Sequence, residues 1–282
     1  MLLSMDVNSG QALRRFIEQH RRLFVLTGAG CSTDSGIPDY RDAEGQWKRS
    51  ARPVTLQDFL TDAATRRRYW ARSLAGWQHF RAARPNDTHR ALACLQRRNG
   101  IAALVTQNVD GLHQAAGSSE VIDLHGRLDR VRCLHCGQRT AREALQGELL
   151  RLNAGTHRAV TALAPDGDAE LADAQLADFQ VPACARCGGI LKPDVVFFGE
   201  SVPPERVERA MLALCGADAV LVVGSSLMLY SGYRFAREGS RLGKPIVAVN
   251  LGRTRADELL SLKICESSSR ALSFLLEQPQ AA

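Results

Sequence analysis

The sequence lacks the features that would assign it to a membrane or secreted class. No apolar run approaches the ~20 residues that cross a bilayer, and the first twenty residues lack the basic, apolar and small-residue segments of a signal peptide. Hydrophobic residues make up 45% and charged residues 23% of the 282 residues, which is ordinary for a globular protein. We therefore expect a cytoplasmic protein with one large domain, or one domain and a smaller module.

Lysine is also scarce, so the positive charge is nearly all arginine. The formal net charge is +6, yet acidic residues are interspersed, and the longest basic cluster is the three arginines at 66–68. A nucleic-acid surface needs clustered positive charge. We expect no membrane partner and no dedicated nucleic-acid binding. The lysines are Lys48, Lys192, Lys244 and Lys263.

A glycine-rich segment, GAGCSTDSGIPDYR at 28–41, follows the apolar run LFVLT at 23–27. A strand that leads into Gly-x-Gly indicates a dinucleotide site, because glycines let the backbone approach a pyrophosphate. The third glycine of GxGxxG is missing, since Thr33 stands there, and Pro38 prevents a long regular helix. No acidic residue ends a second strand about 20 residues later, where a ribose hydroxyl would be bound. The segment predicts a nucleotide site that departs from the usual fingerprint.

Short apolar runs alternate with amphipathic stretches, which is the pattern of an α/β protein. The strands are continuously apolar, as expected for a parallel sheet covered by helices on both faces. We predict a Rossmann-like parallel sheet. The predicted strands are 23–27, 101–106, 121–124, 219–224 and 245–250, and the predicted helices are 10–20, 87–98, 204–215 and 233–242.

Two segments do not fit a plain doubly wound sheet. We interpret 42–86 as a helical insertion and 127–190 as a zinc-binding module, which together form a small lobe. The Rossmann-like domain then comprises 1–41, 87–126 and 191–275, and 276–282 is a tail. A ligand is expected in the cleft between the lobes, near the carboxyl ends of the strands.

Four of the eight cysteines form two CxxC pairs, CLHC and CARC. Two such turns supply the four thiolates of a closed tetrahedral zinc site, which is structural rather than catalytic. The intervening segment is longer than in common zinc ribbons, so it must carry an internal excursion. The alternatives are a redox pair or two unrelated turns. The candidate ligands are Cys133, Cys136, Cys184 and Cys187.

Polar residues follow two of the predicted strands. Gln107, Asn108 and Asp110 in QNVDGLH come after the strand at 101–106, where ligands bind, although one of them could simply cap a helix. His125 comes directly after the strand at 121–124 and precedes the zinc module. It is the best candidate for a general base, because imidazole titrates near neutral pH. His113 is the weaker competitor.

Three further segments carry polar or exposed backbone. KPDVVFFGE at 192–200 is either a core strand or an edge that pairs with an extended peptide. GSSLMLYSGYRF at 224–235 begins with Gly-Ser-Ser, which suits phosphate or ribose contacts. Asn250 ends the strand at 245–250, where its side chain could meet a ribose.

Taken together, GAGCSTDSGIPDYR, QNVD, HG, the paired CxxC turns, KPDVVFFGE, GSSL and VNLG occur in the order of the sirtuins, the NAD-dependent protein deacylases. The resemblance covers roughly residues 10–275. Within the family the chain is most similar to class II, on the segments YWARSLAGW, LYSGYRFA and the long stretch between the cysteine pairs. The departures from GxGxxG then follow, because sirtuins consume NAD rather than reduce it.

The resemblance implies transfer of an acyl group from lysine to ADP-ribose, with release of nicotinamide and 2′-O-acyl-ADP-ribose. His125 would be the general base and Asn108 would assist it. Acyl-lysine contacts are implied at Val196, Phe198, Gly199, Glu200, Leu227, Leu229 and Tyr230. NAD contacts are implied at Gly28, Ala29, Gly30, Ser32, Asp39, Tyr40, Arg41, Gln107, Asn108, Asp110, Gly224, Ser225, Ser226, Asn250, Leu251, Gly252 and Cys265.

Several alternatives stay open at the level of sequence. The same NAD site could serve a protein ADP-ribosyltransferase or a lipoamidase-type deacylase, and a zinc-ribbon module that binds nucleic acid is the non-enzymatic rival. Tyr69 and Arg72 have the spacing of the pair with which class III sirtuins select acidic acyl chains. We state as a hypothesis that Arg72 accommodates a carboxylated acyl chain.

Overall fold

A six-stranded parallel sheet forms the larger lobe of the computed structural model, which describes residues 3–48, 53–154, 176 and 178–277. The predicted α/β class and its parallel sheet are confirmed, and Leu262–Ile264 adds an edge strand that the sequence analysis did not predict. The strand order is β3-β2-β1-β7-β8-β9. These strands are β1 (Leu23–Thr27), β2 (Ile101–Thr106), β3 (Ile122–Asp123), β7 (Ala219–Val223), β8 (Ile246–Val249) and β9 (Leu262–Ile264).

Helices cover both faces of this sheet, which explains why its strands are apolar throughout. Val25 of β1 packs with Leu13 and Leu92 on one face, whereas Phe24 packs with Leu214 and Phe235 on the other. Successive strand side chains point to opposite faces, so a strand covered twice has no polar face. The covering helices are α1 (Leu3–Gln19), α4 (Asp87–Arg97) and α9 (Ser268–Ala271) on the first face, and α7 (Pro204–Cys215) and α8 (Tyr230–Arg241) on the second.

A three-stranded antiparallel sheet, in the order β5-β4-β6, forms the smaller lobe. Its core joins Phe59 and Trp70 of the helical insertion to Val131 and Leu149 of the zinc-binding segment. The two insertions therefore share one core. The elements are α2 (Leu56–Thr61), α3 (Ala63–Ala82), β4 (Gly126–Cys133), β5 (Arg139–Ala141), α6 (Arg142–Leu152) and β6 (Leu191–Val195), while α5 (Leu112–Ala115) follows β2 in the larger lobe.

Two boundaries differ from the sequence-based expectation. β6 was assigned to the Rossmann-like domain, but it pairs with β4, so the boundary at 191 falls inside the smaller sheet. Helix α8 begins at Tyr230, three residues earlier than predicted, and its first turn therefore reaches the segment after β7. Both differences arise because local patterns do not show which sheet or neighbour an element contacts.

Helix starts follow ordinary capping chemistry. Asn86 caps α4, and it forms a capping box with His89. The Asp62 carboxylate accepts hydrogen bonds from Ala64 N and Thr65 N at the start of α3.

No helix within the described ranges is both long and apolar enough to cross a membrane.

Gly224 ends β7 at a point where two backbones meet. Its φ is +59°, and a Cβ built there would lie 2.4 Å from Cys31 N. Gly243 has a similar φ of +68° but open space around it. We expect Gly243→Ala to cost ~1–2 kcal/mol of unfolding free energy for backbone strain, and Gly224→Ala about 1–3 kcal/mol more for overpacking.

Urea unfolding of both variants checks this prediction, with the m-value as a test of two-state behaviour. Equal midpoints for Gly224→Ala and Gly243→Ala would show that the close approach contributes nothing beyond the φ angle.

Candidate functional site

A cavity of about 930 Å³ lies between the lobes. It opens at the carboxyl edge of the sheet, because Gly28, Gln107, Gly224 and Asn250 all line it and follow β1, β2, β7 and β8. Every predicted NAD or acyl-lysine contact lines this cavity, with one exception among the described residues. That exception is Cys265, which is exposed, whereas its neighbour Glu266 does line the cavity.

The GAG loop owes its glycines to a contact between two loops. Gly28 N donates to Val223 O at 3.1 Å and Gly30 N donates to Gly224 O at 2.8 Å. A Cβ at Gly28 would lie 2.7 Å from Ser225 Cβ, and one at Gly30 would lie 2.9 Å from Gly224 Cα. The glycines therefore bring the β1 loop onto the β7 loop. The sequence analysis had assigned them only to a pyrophosphate.

Asn108 and Asp110 are held in one hydrogen-bond network with Ser32. Asn108 Nδ2 donates to Gly28 O and to Ser32 Oγ, both at 3.0 Å, and Ser32 Oγ donates to Asp110 Oδ2 at 2.7 Å. Asp110 Oδ1 also accepts a hydrogen bond from Leu112 N at the start of α5. Asp110 therefore combines the helix-capping contact that the sequence left open with a place on the cavity wall. The network fixes an amide, a hydroxyl and a carboxylate along one wall of the cavity.

His125 is held through both ring nitrogens. Nδ1 lies 2.9 Å from Gln107 O and Nε2 lies 2.9 Å from Ser231 Oγ. A carbonyl can only accept, so Nδ1 carries the proton of the neutral ring and Nε2 is the acceptor. The pKa of His125 is lowered to about 4, mainly by burial. The hydrogen bond to Gln107 O acts in the opposite direction, and the charge of Arg206 adds to the lowering. The imidazole is therefore neutral at pH 7, as a general base must be.

His113, the competing candidate, lies away from the cavity wall. Its side chain is buried, and Nε2 contacts Thr27 Oγ1 at 2.9 Å. Thr27 in turn donates to Thr106 Oγ1 at 2.9 Å, so the histidine joins α5 to β1 through a residue that also bonds to β2. The ring of His89 packs against it at 4.8 Å between centroids. His113 is therefore structural, as its helical position suggested.

The segment at 37–48 covers one side of the cavity and is held mainly by its own side chains. Arg41 donates to Gly45 O at 2.6 Å and its guanidinium lies 4.4 Å from the Trp47 ring, while Lys48 pairs with Asp39. The Trp47 ring also lies 5.6 Å from the ring of Phe198. Arg41 and Asp39, both predicted NAD contacts, therefore line the cavity while bonded within the segment.

The segment at 196–200 and Leu227–Tyr230, between which a peptide is predicted to bind, both line the cavity. One of its edges is already paired, because Leu56 N donates to Phe198 O at 2.9 Å. Glu200 accepts from Phe197 N at 2.8 Å and pairs with the buried Lys192 at 3.0 Å. Glu200 therefore holds the segment in shape, and an incoming peptide must use its remaining backbone groups.

Tyr69 and Arg72 lie three positions apart on α3, so their side chains share one face of the helix. Tyr69 lines the cavity and packs against the Phe59 and Phe197 rings. Arg72 is half-buried and is not among the described residues that line the cavity. The hypothesis that Arg72 accommodates a carboxylated acyl chain stays a prediction.

The four predicted metal ligands converge in the smaller lobe. Their sulfur atoms all lie within 4.8 Å of one another, and two pairs are 3.5 Å and 3.8 Å apart. A tetrahedral site with Zn–S bonds of about 2.3 Å requires sulfur separations of roughly 3.8 Å, so the four thiols fit zinc. The backbone N–H of Cys136 lowers the pKa of Cys133 to about 6, which favours the thiolate that zinc binds.

The comparisons with known proteins agree with this geometry. The model of the Sir2 family matches residues 28–231. The chain belongs to the Sir2 family. A Xanthomonas campestris pv. campestris protein named NAD-dependent protein deacetylase is 62% identical over 96% of this chain and 92% of its own length. A Bradyrhizobium diazoefficiens protein named NAD-dependent protein deacetylase 2 is 58% identical over 95% of this chain and 98% of its own.

Solved Sir2 structures share the fold over nearly the whole chain. One, described as Sir2 with a p53 peptide and NAD⁺, has a TM-score of 0.77 at 29% identity and covers 94% of this chain and 96% of its own. Another, Sir2 bound to an acetylated peptide, has a TM-score of 0.76 at 28% identity with the same coverage.

The sequence analysis of this Sir2-family chain missed Ser231. The residue lines the cavity and contacts the candidate base, within the segment LYSGYRFA that was quoted only for its similarity to class II. No local pattern marks it as a partner of His125. Trp47 and Met228 line the same cavity and were also not singled out.

We expect the purified protein to contain about one zinc per chain, and Cys184→Ser to lose it, because three thiolates cannot close a structural site. Cys215→Ser, which changes an exposed cysteine outside the cluster, is the matched control and keeps the metal. Metal analysis together with limited proteolysis checks both variants. Full zinc occupancy in Cys184→Ser would contradict the assignment.

Three buried histidines predict that stability falls in acid. Burial lowers the pKa of His89 to about 4, that of His125 to about 4, and that of His113 well below its usual value. The unfolded chain, with histidine pKa values near ~6.5, therefore binds more protons than the folded one below that pH. As the pH falls from about 6.5 to about 4, each histidine lowers the free energy of unfolding by up to about 1.4 kcal/mol per pH unit.

Urea unfolding at several pH values measures this slope. His113→Gln removes one buried imidazole and reduces the slope, whereas His79→Gln on the exposed side of α3 leaves it unchanged. Identical slopes in the wild type and His113→Gln would rule out this histidine as a source of acid sensitivity.

Proposed function

We propose that this Sir2-family chain is an NAD-dependent protein lysine deacylase of class II, which transfers an acyl group from lysine to ADP-ribose. The observation that carries the proposal is His125, whose Nδ1 is fixed by Gln107 O and whose Nε2 side lines the cavity between the NAD-facing and peptide-facing segments. The names of the most similar relatives support it.

The residues present fit NAD as the co-substrate. Gly28 N, Gly30 N and Gly224 N are bonded to backbone carbonyls, so the groups offered to phosphate and ribose are those of Ala29, Ser225 and Ser226. Asn250 follows β8 at the same edge. Asn108, Ser32 and Asp110 form a linked polar wall that suits the nicotinamide end, where a carboxamide needs both a donor and an acceptor. When bound, NAD supplies an electrophilic ribose carbon and a nicotinamide leaving group.

The chain's own chemistry is that of a positioned base. His125 is neutral, its tautomer is set by Gln107 O, and its acceptor nitrogen, Nε2, can take a proton from a ribose hydroxyl. A weak nucleophile such as an amide oxygen needs alignment above all, which the ordered cavity walls supply. Asn108, fixed by Gly28 O and Ser32 Oγ, assists by orienting the ligand.

The acyl-lysine side chain would enter between the segment 196–200 and Leu227–Tyr230. Apolar side chains close the cavity beyond this entry, with Val54, Tyr69, Val195 and Phe197 among them. Such a wall favours an uncharged acyl group, acetyl or longer. All eight cysteines are free thiols, as expected in a reducing compartment, so we place the protein in the cytoplasm.

We expect His125→Ala to lower deacylation at least ~10²-fold, because general-base catalysis is lost, while NAD affinity stays within a factor of about two. Mass spectrometry should follow a panel of acetyl, glutaryl, lipoyl and long-chain acyl-lysine peptides, with calorimetry for NAD binding. His79→Ala is the exposed control.

The products decide between the proposal and its alternatives. Nicotinamide together with O-acyl-ADP-ribose would support deacylation, and preference for the lipoyl peptide would indicate a lipoamidase-type enzyme. ADP-ribose added to protein, without deacylated peptide, would indicate an ADP-ribosyltransferase. Substantial deacylation by His125→Ala would remove this residue from the role of base.

A further inference from the structure

The acceptor nitrogen of His125 is already occupied by a hydroxyl. Nε2 lies 2.9 Å from Ser231 Oγ, and since Nδ1 donates to Gln107 O, the serine must be the donor in the neutral ring. The ring is therefore clamped at both ends, by a main-chain carbonyl on one side and a side-chain hydroxyl on the other. A histidine that takes a proton from a ligand needs its acceptor nitrogen aimed at that ligand.

The start of α8 is built to bring Ser231 to this position. Ser231 is the second residue of the helix, and its neighbour Gly232 lies against the Gln107 side chain. A Cβ at Gly232 would come within 2.4 Å of Gln107 Oε1, so a larger residue there would force the Gln107 side chain to move. Further along, the buried Phe235 packs on Phe24 of β1 at 5.4 Å between ring centroids, which anchors the helix.

The electrostatic surroundings favour the neutral base at rest. The ring contacts the first turn of α8 through Ser231, where a helix carries a partial positive charge, and burial together with the charge of Arg206 lowers the pKa of His125. Once the ring is protonated, the serine oxygen can accept from Nε2–H, a charge-assisted hydrogen bond that is stronger than the neutral one. The hydroxyl can therefore partner both protonation states without moving its oxygen.

We propose that Ser231 is a positioning residue for His125. Its hydroxyl donates to the single lone pair of Nε2 in the resting protein and holds the ring in place. When a ribose hydroxyl binds, the serine O–H rotates off that lone pair, the ribose O–H bond breaks as the new N–H bond forms, and the serine oxygen then accepts from Nε2–H. The catalytic effect of Ser231 rests on the proposed function. The hydrogen bond between Ser231 and His125 can be tested independently of that function.

The catalytic test separates two stages of the reaction. Departure of nicotinamide requires no proton transfer, so exchange of labelled nicotinamide into NAD reports the stage before the base acts. We expect Ser231→Ala to lower deacylation turnover roughly 3- to 10-fold, with exchange unchanged within a factor of about two. Ser231→Thr, which retains a hydroxyl, should recover most of the loss, and Ser240→Ala on the exposed side of α8 is the matched control.

A second readout needs neither NAD nor turnover. Imidazole ¹⁵N NMR of the protein alone should show His125 protonated at Nδ1 in both the wild type and Ser231→Ala. The Nε2 resonance should move in Ser231→Ala toward the value of an acceptor nitrogen that has no donor, and Ser231→Thr should restore it.

Three results would overturn the proposal. They are an unchanged Nε2 resonance in Ser231→Ala, an equal fall of exchange and deacylation, and a loss of deacylation in Ser231→Thr as large as in Ser231→Ala. If the wild type consumed no NAD with any acyl-lysine peptide, the proposed function would fail separately, and the NMR comparison would still decide whether Ser231 holds the ring.

Discussion

The close approach of two glycine-containing loops is the constraint on which the site depends. Gly28 and Gly30 at the end of β1 contact Gly224 and Ser225 at the end of β7, with no room for a side chain between them. Because Gly28 O also accepts from Asn108 Nδ2, the β2 loop is fixed by the same contact. Ser225 Oγ, 3.1 Å from Gln107 Oε1, ties the backbone that holds His125 to β7.

The smaller lobe is stabilised differently, by a shared apolar core that encloses charged side chains. Arg142 is 1% exposed and its guanidinium lies 5.0 Å from the Trp77 ring and 5.4 Å from the Trp70 ring. Lys192 is similarly buried and paired with Glu200. Removing one partner of such a pair is costly because a buried charge is left alone. Tyr69 and Phe197, which belong to this core, also line the cavity.

Sequence reasoning succeeded where a local pattern has one physical meaning. The runs at 23–27 and 101–106 are short and continuously apolar, which is typical of strands in a parallel sheet that helices cover on both faces. The two CxxC turns converge because four thiols at that spacing have a common ligand. His125, at the end of a predicted strand and before a glycine, lies on the cavity wall, and its role as the base stays a prediction. The whole polar group in QNVD also reached the cavity.

Failures occurred where the meaning of a residue depends on a distant neighbour. The sequence of β6 is compatible with a strand in either the parallel or the antiparallel sheet. Its pairing with β4 places it in the antiparallel sheet. Ser231 gives no signal at all, since its role comes from a contact to a residue 106 positions away.

The sequence by itself determined the α/β class, the parallel sheet, the metal ligands and most of the polar residues that line the cavity, because periodicity, glycine placement and donor chemistry are local properties. Tertiary structure alone decided the lobe boundary, the tautomer of His125, the partner of its second nitrogen and the pairing of Glu200. Each of these depends on which backbone or side chain lies within about 3 Å, and that distance is set by packing between segments far apart in the chain.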